Sequence, residues 1–283
     1  MFRPKPLVQA DERVERHTIL QLRDGELRRV ADALAVERAL QIFAVAAGSG
    51  EERLVASTMR TPGSDVELAI GFFYAEGILQ TREDLTDWRL AGDRIFLHLE
   101  SGAFARAGAA WRLTLTSSAC GVCGREDPNA LLVPAISERA ALFQIQAEVV
   151  GELPRILTTQ QAGFQATGGL HAAGLFSPMG ELWNVAEDVG RHNAVDKLVG
   201  ERFLAADGHA SVGALVVSGR ASFELVQKAA RADFPMLIAV GAPSTLAVES
   251  ALRANMTLVG FTRQRAFNVY AGAHRIITQQ VAS

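Results

Sequence analysis

The chain has 283 residues, 49% of them hydrophobic and 21% charged, with a formal net charge of −3. That length builds a sizeable core without covalent staples, and the composition excludes wholesale disorder. The slight negative charge excludes a general electrostatic footprint for nucleic acid, and no apolar run approaches the roughly 18 residues of a membrane span.

Length alone suggests roughly two domains at about 150 residues each. The N-terminus, Met1-Phe2-Arg3-Pro4-Lys5-Pro6, leads into Asp11-Glu12-Arg13 with no apolar h-region, so the chain reads as cytoplasmic and soluble. Residues 1–16 read as polar and loose. His17 to Leu22 alternates as a strand, and Asp24-Gly25 is a hairpin signal. Asp32 to Ala47 is rich in apolar residues and ends at the turn Gly48-Ser49-Gly50. Leu54 to Met59 reads as a buried strand. A helix is predicted next, with Ser64 as cap and Glu67 as capping-box partner; Val66, Ala69, Ile70 and Phe73 follow at helical spacing. Trp88 to Leu99 reads as a hairpin around Gly92-Asp93, and Trp111 to Thr116 as a strand.

Beyond about residue 130 the rhythm changes. Short apolar strands are predicted at Leu170–Phe176, Leu182–Ala186, Ala214–Val217, Met236–Val240 and Met256–Phe261. Helices are predicted over 190–205, Ser222–Ala232 and Ser244–Ala254. Strand, turn, helix, strand is the pattern of a sheet covered on both faces. The expected fold is α/β: an N-terminal α+β domain over 1–125 and a C-terminal α/β domain over 126–283.

Only two cysteines occur, Cys120 and Cys123, within Ser117-Ser118-Ala119-Cys120-Gly121-Val122-Cys123-Gly124. The thiolate is the reactive form, and flanking glycines let backbone N–H groups turn toward sulfur. An inert buried pair would sit in a periodic apolar segment, which this is not. Structural zinc needs four ligands, commonly two such pairs, and this chain has one. The zinc deaminase signature needs Pro-Cys-x-x-Cys with His-x-Glu; Ala119 precedes Cys120, and no histidine has Glu two residues on. A disulfide oxidoreductase and a persulfide-forming sulfur carrier both remain, and spacing does not choose between them.

Arginine dominates the basic residues, 25 against 3 lysines. Arginine is the better bidentate partner for phosphate, although a GC-rich genome gives the same bias. Three turns of the second half read either as anion sites or as ordinary structure, two as capped helix starts and one as a solvated basic loop. Ser218-Gly219-Arg220-Ala221-Ser222 joins a strand to a helix, as does Gly241-Ala242-Pro243-Ser244. Gly260-Phe261-Thr262-Arg263-Gln264-Arg265 follows a strand at its carboxyl end, where α/β sheets bind ligands. Read as an extended loop, it points two arginines the same way to clamp a diphosphate, with Phe261 able to stack on a base. Glu187-Asp188-Val189-Gly190-Arg191-His192-Asn193 is either a satisfied helix start or a polar pocket wall. Thr167-Gly168-Gly169-Leu170-His171 is a glycine turn with one histidine.

Taken in order, the cysteine loop and the segments at Thr167–His171, Glu187–Asn193, Ser218–Arg220 and Gly260–Arg263 resemble the FdhD family, the sulfur carriers required for formate dehydrogenase activity. The resemblance covers residues 15 to 275 or so. It implies a C-terminal three-layer α/β/α part similar to cytidine deaminases, without their zinc. It implies sulfur received from a cysteine desulfurase and passed to the molybdenum or tungsten cofactor of formate dehydrogenase, bis(molybdopterin guanine dinucleotide). Cys120 matches the persulfide-forming cysteine and Cys123 its partner. Phe261, Thr262, Arg263, Gln264, Arg265 and Ala266 match the cofactor-binding segment, and His171, Ser218 and Arg220 are added as further contacts. GDP is then a fragment mimic of the cofactor, no structural metal is expected, and the family acts as homodimers. The alternatives are a cofactor-binding chaperone without chemistry and the disulfide oxidoreductase.

Overall fold

The computed structural model describes residues 12–111, 133–205, 212–264 and 266–278. Strands β1 (Val14–Arg23) and β2 (Glu26–Ala35) form an antiparallel ribbon. Its turn is Asp24-Gly25, with φ of 52° and 81°, the left-handed pair that a two-residue hairpin requires. The first strand starts three residues earlier than its alternation indicates. Strands β3 (Arg38–Ala46), β4 (Glu52–Arg60), β5 (Leu85–Ala91) and β6 (Arg94–Leu99) make a second sheet in the order β4-β3-β6-β5. Helices α1 (Asp65–Ala75) and α2 (Ser101–Trp111) complete this half. Leu40, Ile42 and Ala44 alternate on β3 and meet Ile95 and Leu97 of β6, Phe73 of α1 and Phe104 of α2 in one core.

Two local expectations fail here. Ser64 does not cap α1: its φ of 54° and ψ of 36° are left-handed, and its side chain makes no cap bond. Capping needs an extended backbone that aims the side chain at the next amides. The helix entrance is held instead by the Arg60 guanidinium, which donates to both Asp65 oxygens at 2.9 and 2.8 Å. Trp111 ends a helix rather than starting a strand; the remainder of that expected strand, 112–116, lies outside the described residues, as does the domain boundary at 125.

The second half begins with α3 (Glu138–Ala141), β7 (Ile145–Gln146), α4 (Ala147–Thr159) and α5 (Ala162–Thr167). It continues through β8 (His171–Phe176), β9 (Leu182–Asp188), α6 (Arg191–Leu204), β10 (Ala214–Val217), α7 (Phe223–Arg231), β11 (Met236–Ala239), α8 (Thr245–Arg253), β12 (Thr257–Arg263), β13 (Ala266–Ala271) and β14 (Ile276–Ile277). Six strands form one sheet in the order β13-β12-β11-β10-β8-β9. β10, β11 and β12 are parallel, and the flanking strands antiparallel. Both faces are covered, which is why these strands read as unbroken apolar runs. Leu215, Val217, Leu237 and Leu258 face α6, α7 and α8, whereas Ala214, Val216, Ile238 and Val259 face α4. The result is three layers on a mixed α/β frame.

Helix α6 also joins the halves. A Cβ on Gly71 of α1 would run into the Asp196 carbonyl, and one on Gly200 of α6 into the Glu67 carbonyl. The helices therefore touch backbone to backbone, which only glycine permits. Among the described residues no helix is long and apolar enough to cross a membrane.

Candidate functional site

The parallel strands β10, β11 and β12 deliver their carboxyl ends to one edge of the large sheet. Because β8 is antiparallel to β10, its first residue, His171, lies at that same edge. His171 pairs across the ladder with Asp188, the last residue of β9. All the segments that the sequence singles out downstream of residue 165 thus meet along one line. The turns are stitched together past the strand ends: the Gly241 amide donates to Gly219 O at 3.0 Å, and the Phe261 amide to Gly241 O at 3.1 Å. A Cβ on Gly241 would lie 2.9 Å from Arg220 Cγ, so the close approach depends on its absence.

Ser218 ties β10 to β8. Its hydroxyl accepts the Ala172 amide at 2.9 Å and stands 3.5 Å from His171 Nδ1. Burial and the nearby Arg191 guanidinium push the His171 pKa down, so the ring is neutral at neutral pH. His192 stands 3.1 Å from the Ser222 hydroxyl and 3.4 Å from Glu224. Burial outweighs Glu224 and pushes its pKa down to about 4.

The Glu187–Asn193 segment divides by role. Asp188 is fully buried. Its carboxylate receives Lys197 Nζ at 2.7 Å, the Gly190 amide and Asn193 Nδ2 each at 2.9 Å, and the Thr61 amide at 3.1 Å. Glu187 accepts the Gly163 and Phe164 amides at the start of α5, both at 2.8 Å. Asn193 Nδ2 also reaches the Met59 carbonyl at 2.7 Å. Asp188 and Asn193 clamp the β4–α1 corner to the large sheet, and Glu187 ties the end of β9 to α5. Arg191 and His192 are the members left to the edge.

The cations differ in the same way. Lys197 and Lys228 are buried in ion pairs, Lys228 with Asp196 at 2.8 Å. Burial pushes Asp196 up to about 7, and the two carboxylates beside Lys228, Asp196 and Glu224, hold its ammonium charged. By contrast Arg191, Arg220 and Arg263 make no hydrogen bond or ion pair with another described residue, and Arg191 Nε is buried without a partner. Arg220, Arg263 and Gln264 are exposed, as is Phe261 at 44%. A row of free guanidiniums beside two neutral imidazoles and the first turns of α6 and α7 draws anions.

The Phe261–Ala266 segment corrects the extended-loop expectation. β12 runs to Arg263 and β13 starts at Ala266, so the segment is a hairpin whose pairing shifts between Gly260 and Arg263. Phe261 and Gln264 have φ of 53° and 25°, so the backbone kinks instead of alternating. Thr262 is buried and its hydroxyl has no partner, while its neighbours face solvent. Cys120, Cys123 and Arg265 lie outside the described residues. The sequence marks Arg191 only as a member of the Glu187–Asn193 segment and carries no signal for Thr61, which closes the clamp from the other half.

No group of three or more His, Cys, Asp or Glu among the described residues could hold a metal ion. A groove of about 520 Å³ opens on the small sheet between Arg38, Gln41, Ser57, Met59 and Arg94. It contains none of the residues singled out from sequence.

Residues 35–277 match the model of the FdhD/NarQ family. A sulfur carrier protein FdhD of Streptomyces coelicolor is 41% identical over 275 residues, covering 93% of this chain and 95% of that protein. One from Nocardia farcinica is 44% identical over 259 residues, covering 89% and 90%. One from Sulfolobus acidocaldarius is 39% identical over 259 residues, covering 91% and 96%. Among solved structures, a Desulfotalea psychrophila protein assigned as a candidate formate dehydrogenase accessory protein superposes with a TM-score of 0.72 at 22% identity, over 93% of this chain and 99% of that one. With its mixed α/β fold, its turns gathered on one sheet edge and relatives at about 40% identity along most of its length, this chain belongs to the FdhD/NarQ family.

Proposed function

We propose that this protein is a sulfur carrier in the maturation of formate dehydrogenase. The observation that carries the reading is the similarity, nearly end to end, to proteins named sulfur carriers, with the glycine-flanked cysteine pair inside the matched span. Cys120 takes the outer sulfur of a cysteine desulfurase persulfide. Its thiolate attacks that sulfur, the old S–S bond breaks, and the desulfurase thiolate leaves, so loading is redox-neutral. Cys123 is its partner in the loop. The acceptor is the molybdenum or tungsten bis(molybdopterin guanine dinucleotide) of formate dehydrogenase, bound as substrate.

The sheet edge suits that substrate. Diphosphates need guanidinium donors without internal carboxylates, and Arg191, Arg220 and Arg263 meet that need. Phe261 presents an aromatic face, and Thr262 a hydroxyl in want of a partner. The reading extends to a cytoplasmic homodimer that meets the desulfurase and the dehydrogenase in turn. Mass spectrometry after incubation with a cysteine desulfurase and cysteine is the test. A one-sulfur adduct on Cys120 is expected. No adduct, with cofactor binding intact, would instead make the protein a chaperone without sulfur chemistry. Useful turnover of a protein disulfide substrate would make it an oxidoreductase.

A further inference from the structure

We infer that the β1–β2 ribbon is an interface between two copies of this chain, in which the free edge of β2 pairs with the same edge of a second copy to make one four-stranded sheet. The inference rests on the proposed homodimer and names the surface that forms it.

The ribbon is built unlike the rest of the fold. Neither of its ten-residue strands has a buried residue, and Leu20, Leu22 and Leu27 are 63–68% exposed. It is a sheet of its own, with no third strand among the described residues. Its base is anchored: a Cβ on Gly169 would lie 3.3 Å from Ala35 Cβ, and the Val36 amide donates to Arg13 O at 2.9 Å. A lone two-stranded hairpin is marginal in water, whereas three or more strands hold. A long unpaired edge is a template for another strand.

The register decides which backbone groups are free. The two-residue turn makes Arg23 and Glu26 a pair that exchanges both ladder bonds, and such pairs recur at every second residue. Residues 26, 28, 30, 32 and 34 therefore turn their backbone groups toward β1. Leu27, Arg29, Ala31 and Ala33 turn theirs outward. The Ala33 amide, with no strand beside it, donates to the Asp32 carboxylate at 2.9 Å instead.

That edge complements itself. A two-fold axis normal to the sheet sets β2 antiparallel to its copy and keeps opposed residues on one face. Centred on Val30, it joins Leu27 to the partner's Ala33 and Arg29 to the partner's Ala31 through their outward groups. Arg28 then faces the partner's Asp32, and Asp32 the partner's Arg28. Centred one residue earlier, Arg29 would meet its own copy and Glu26 the partner's Asp32; centred one residue later, Val30 would meet the partner's Asp32. Charge thus selects one register. Residues 14–35 carry four arginines and four acids, a balance that suits a second copy better than a strongly charged peptide.

The test is sedimentation of the full chain. Wild type should be a dimer. Arg28→Asp sets acids opposite one another at both crossings, and Asp32→Arg sets arginines there; each should weaken the dimer about tenfold or more. Mixed in equal amounts, the two variants should associate with about wild-type affinity, since every acid then faces an arginine. A ribbon that had merely lost its fold would not be rescued by mixing. Ala31→Pro removes an outward amide without changing charge and should also weaken the dimer. Variants that dimerise like wild type, or charge variants that mixing fails to rescue, overturn this interface while the homodimer stands. Monomeric wild type overturns both.

Discussion

Asp188 sits at the crossing of the two halves, and its removal tests whether the Glu187–Asn193 segment is scaffold or ligand. The carboxylate is fully buried, and Lys197, itself buried, stands 2.7 Å away. In Asp188→Ala the ammonium keeps only the carbonyls of Thr61 and Glu187, at 2.9 and 3.1 Å. The Thr61 and Gly190 amides and Asn193 Nδ2 lose their acceptor. Removing one partner of a buried pair costs about 3–5 kcal/mol. At about 2–4 °C per kcal/mol for a chain of this order, Tm should fall by roughly 6–20 °C. Asp188→Asn with Lys197→Met leaves no lone charge and should recover part of the loss. Thermal and urea unfolding of wild type and these two variants measure this. If Asp188→Ala unfolds within about 1 kcal/mol of wild type while nucleotide binding collapses, Asp188 is a ligand group and the scaffold assignment is wrong.

Cys120→Ala should abolish both the sulfur adduct and dehydrogenase activation in cells that rely on this protein; retained activation would remove Cys120 from the transfer. Arg263→Ala should weaken GDP roughly 10- to 150-fold and leave Cys120 loading unchanged, since loading in the proposed function does not need the cofactor. Gly200→Ala sets a methyl against the Glu67 carbonyl and should cost about 1–3 kcal/mol in urea unfolding, with no effect on loading. His192 carries a pH signature. Its pKa is about 4 folded, against about 6.5 unfolded, so below pH 6.5 the unfolded state binds the proton first. The stability His192 permits is complete above pH 6.5 and is lost as pH falls toward 4, and His171 shifts in the same direction. His192→Gln should flatten the decline of Tm between pH 7 and 5, and an equally steep decline would assign the effect to other groups.

Much of the frame is local and therefore legible in the residues themselves. Apolar runs bounded by turns mark β10, β11 and β12, because a strand buried on both faces needs no alternation. Asp24-Gly25 sets the first hairpin because its backbone demands left-handed residues. The cysteine pair and the arginine turns stand out by residue type and spacing. Helices α2 and α4 were not legible: one is rich in alanine and glycine without a strong apolar stripe, and the other carries Pro154 inside. The Ser64 cap read correctly as a motif and failed as a contact, since the Arg60–Asp65 pair took over the helix entrance.

Local pattern carries most of the strands, helices α1, α6, α7 and α8, and the positions of the cysteine pair and the arginine turns. Tertiary structure alone decided which charges are spent and which are free. Asp188 and Lys197 are nine residues apart, but Thr61 comes from the other half of the chain to complete their bond set. Arg191 has no partner among the described residues, because folding commits Glu187 and Asp188 elsewhere. Whether a charge is neutralised depends on what packs within about 4 Å of it, and Coulomb attraction and desolvation both act through that distance, not through position in the chain.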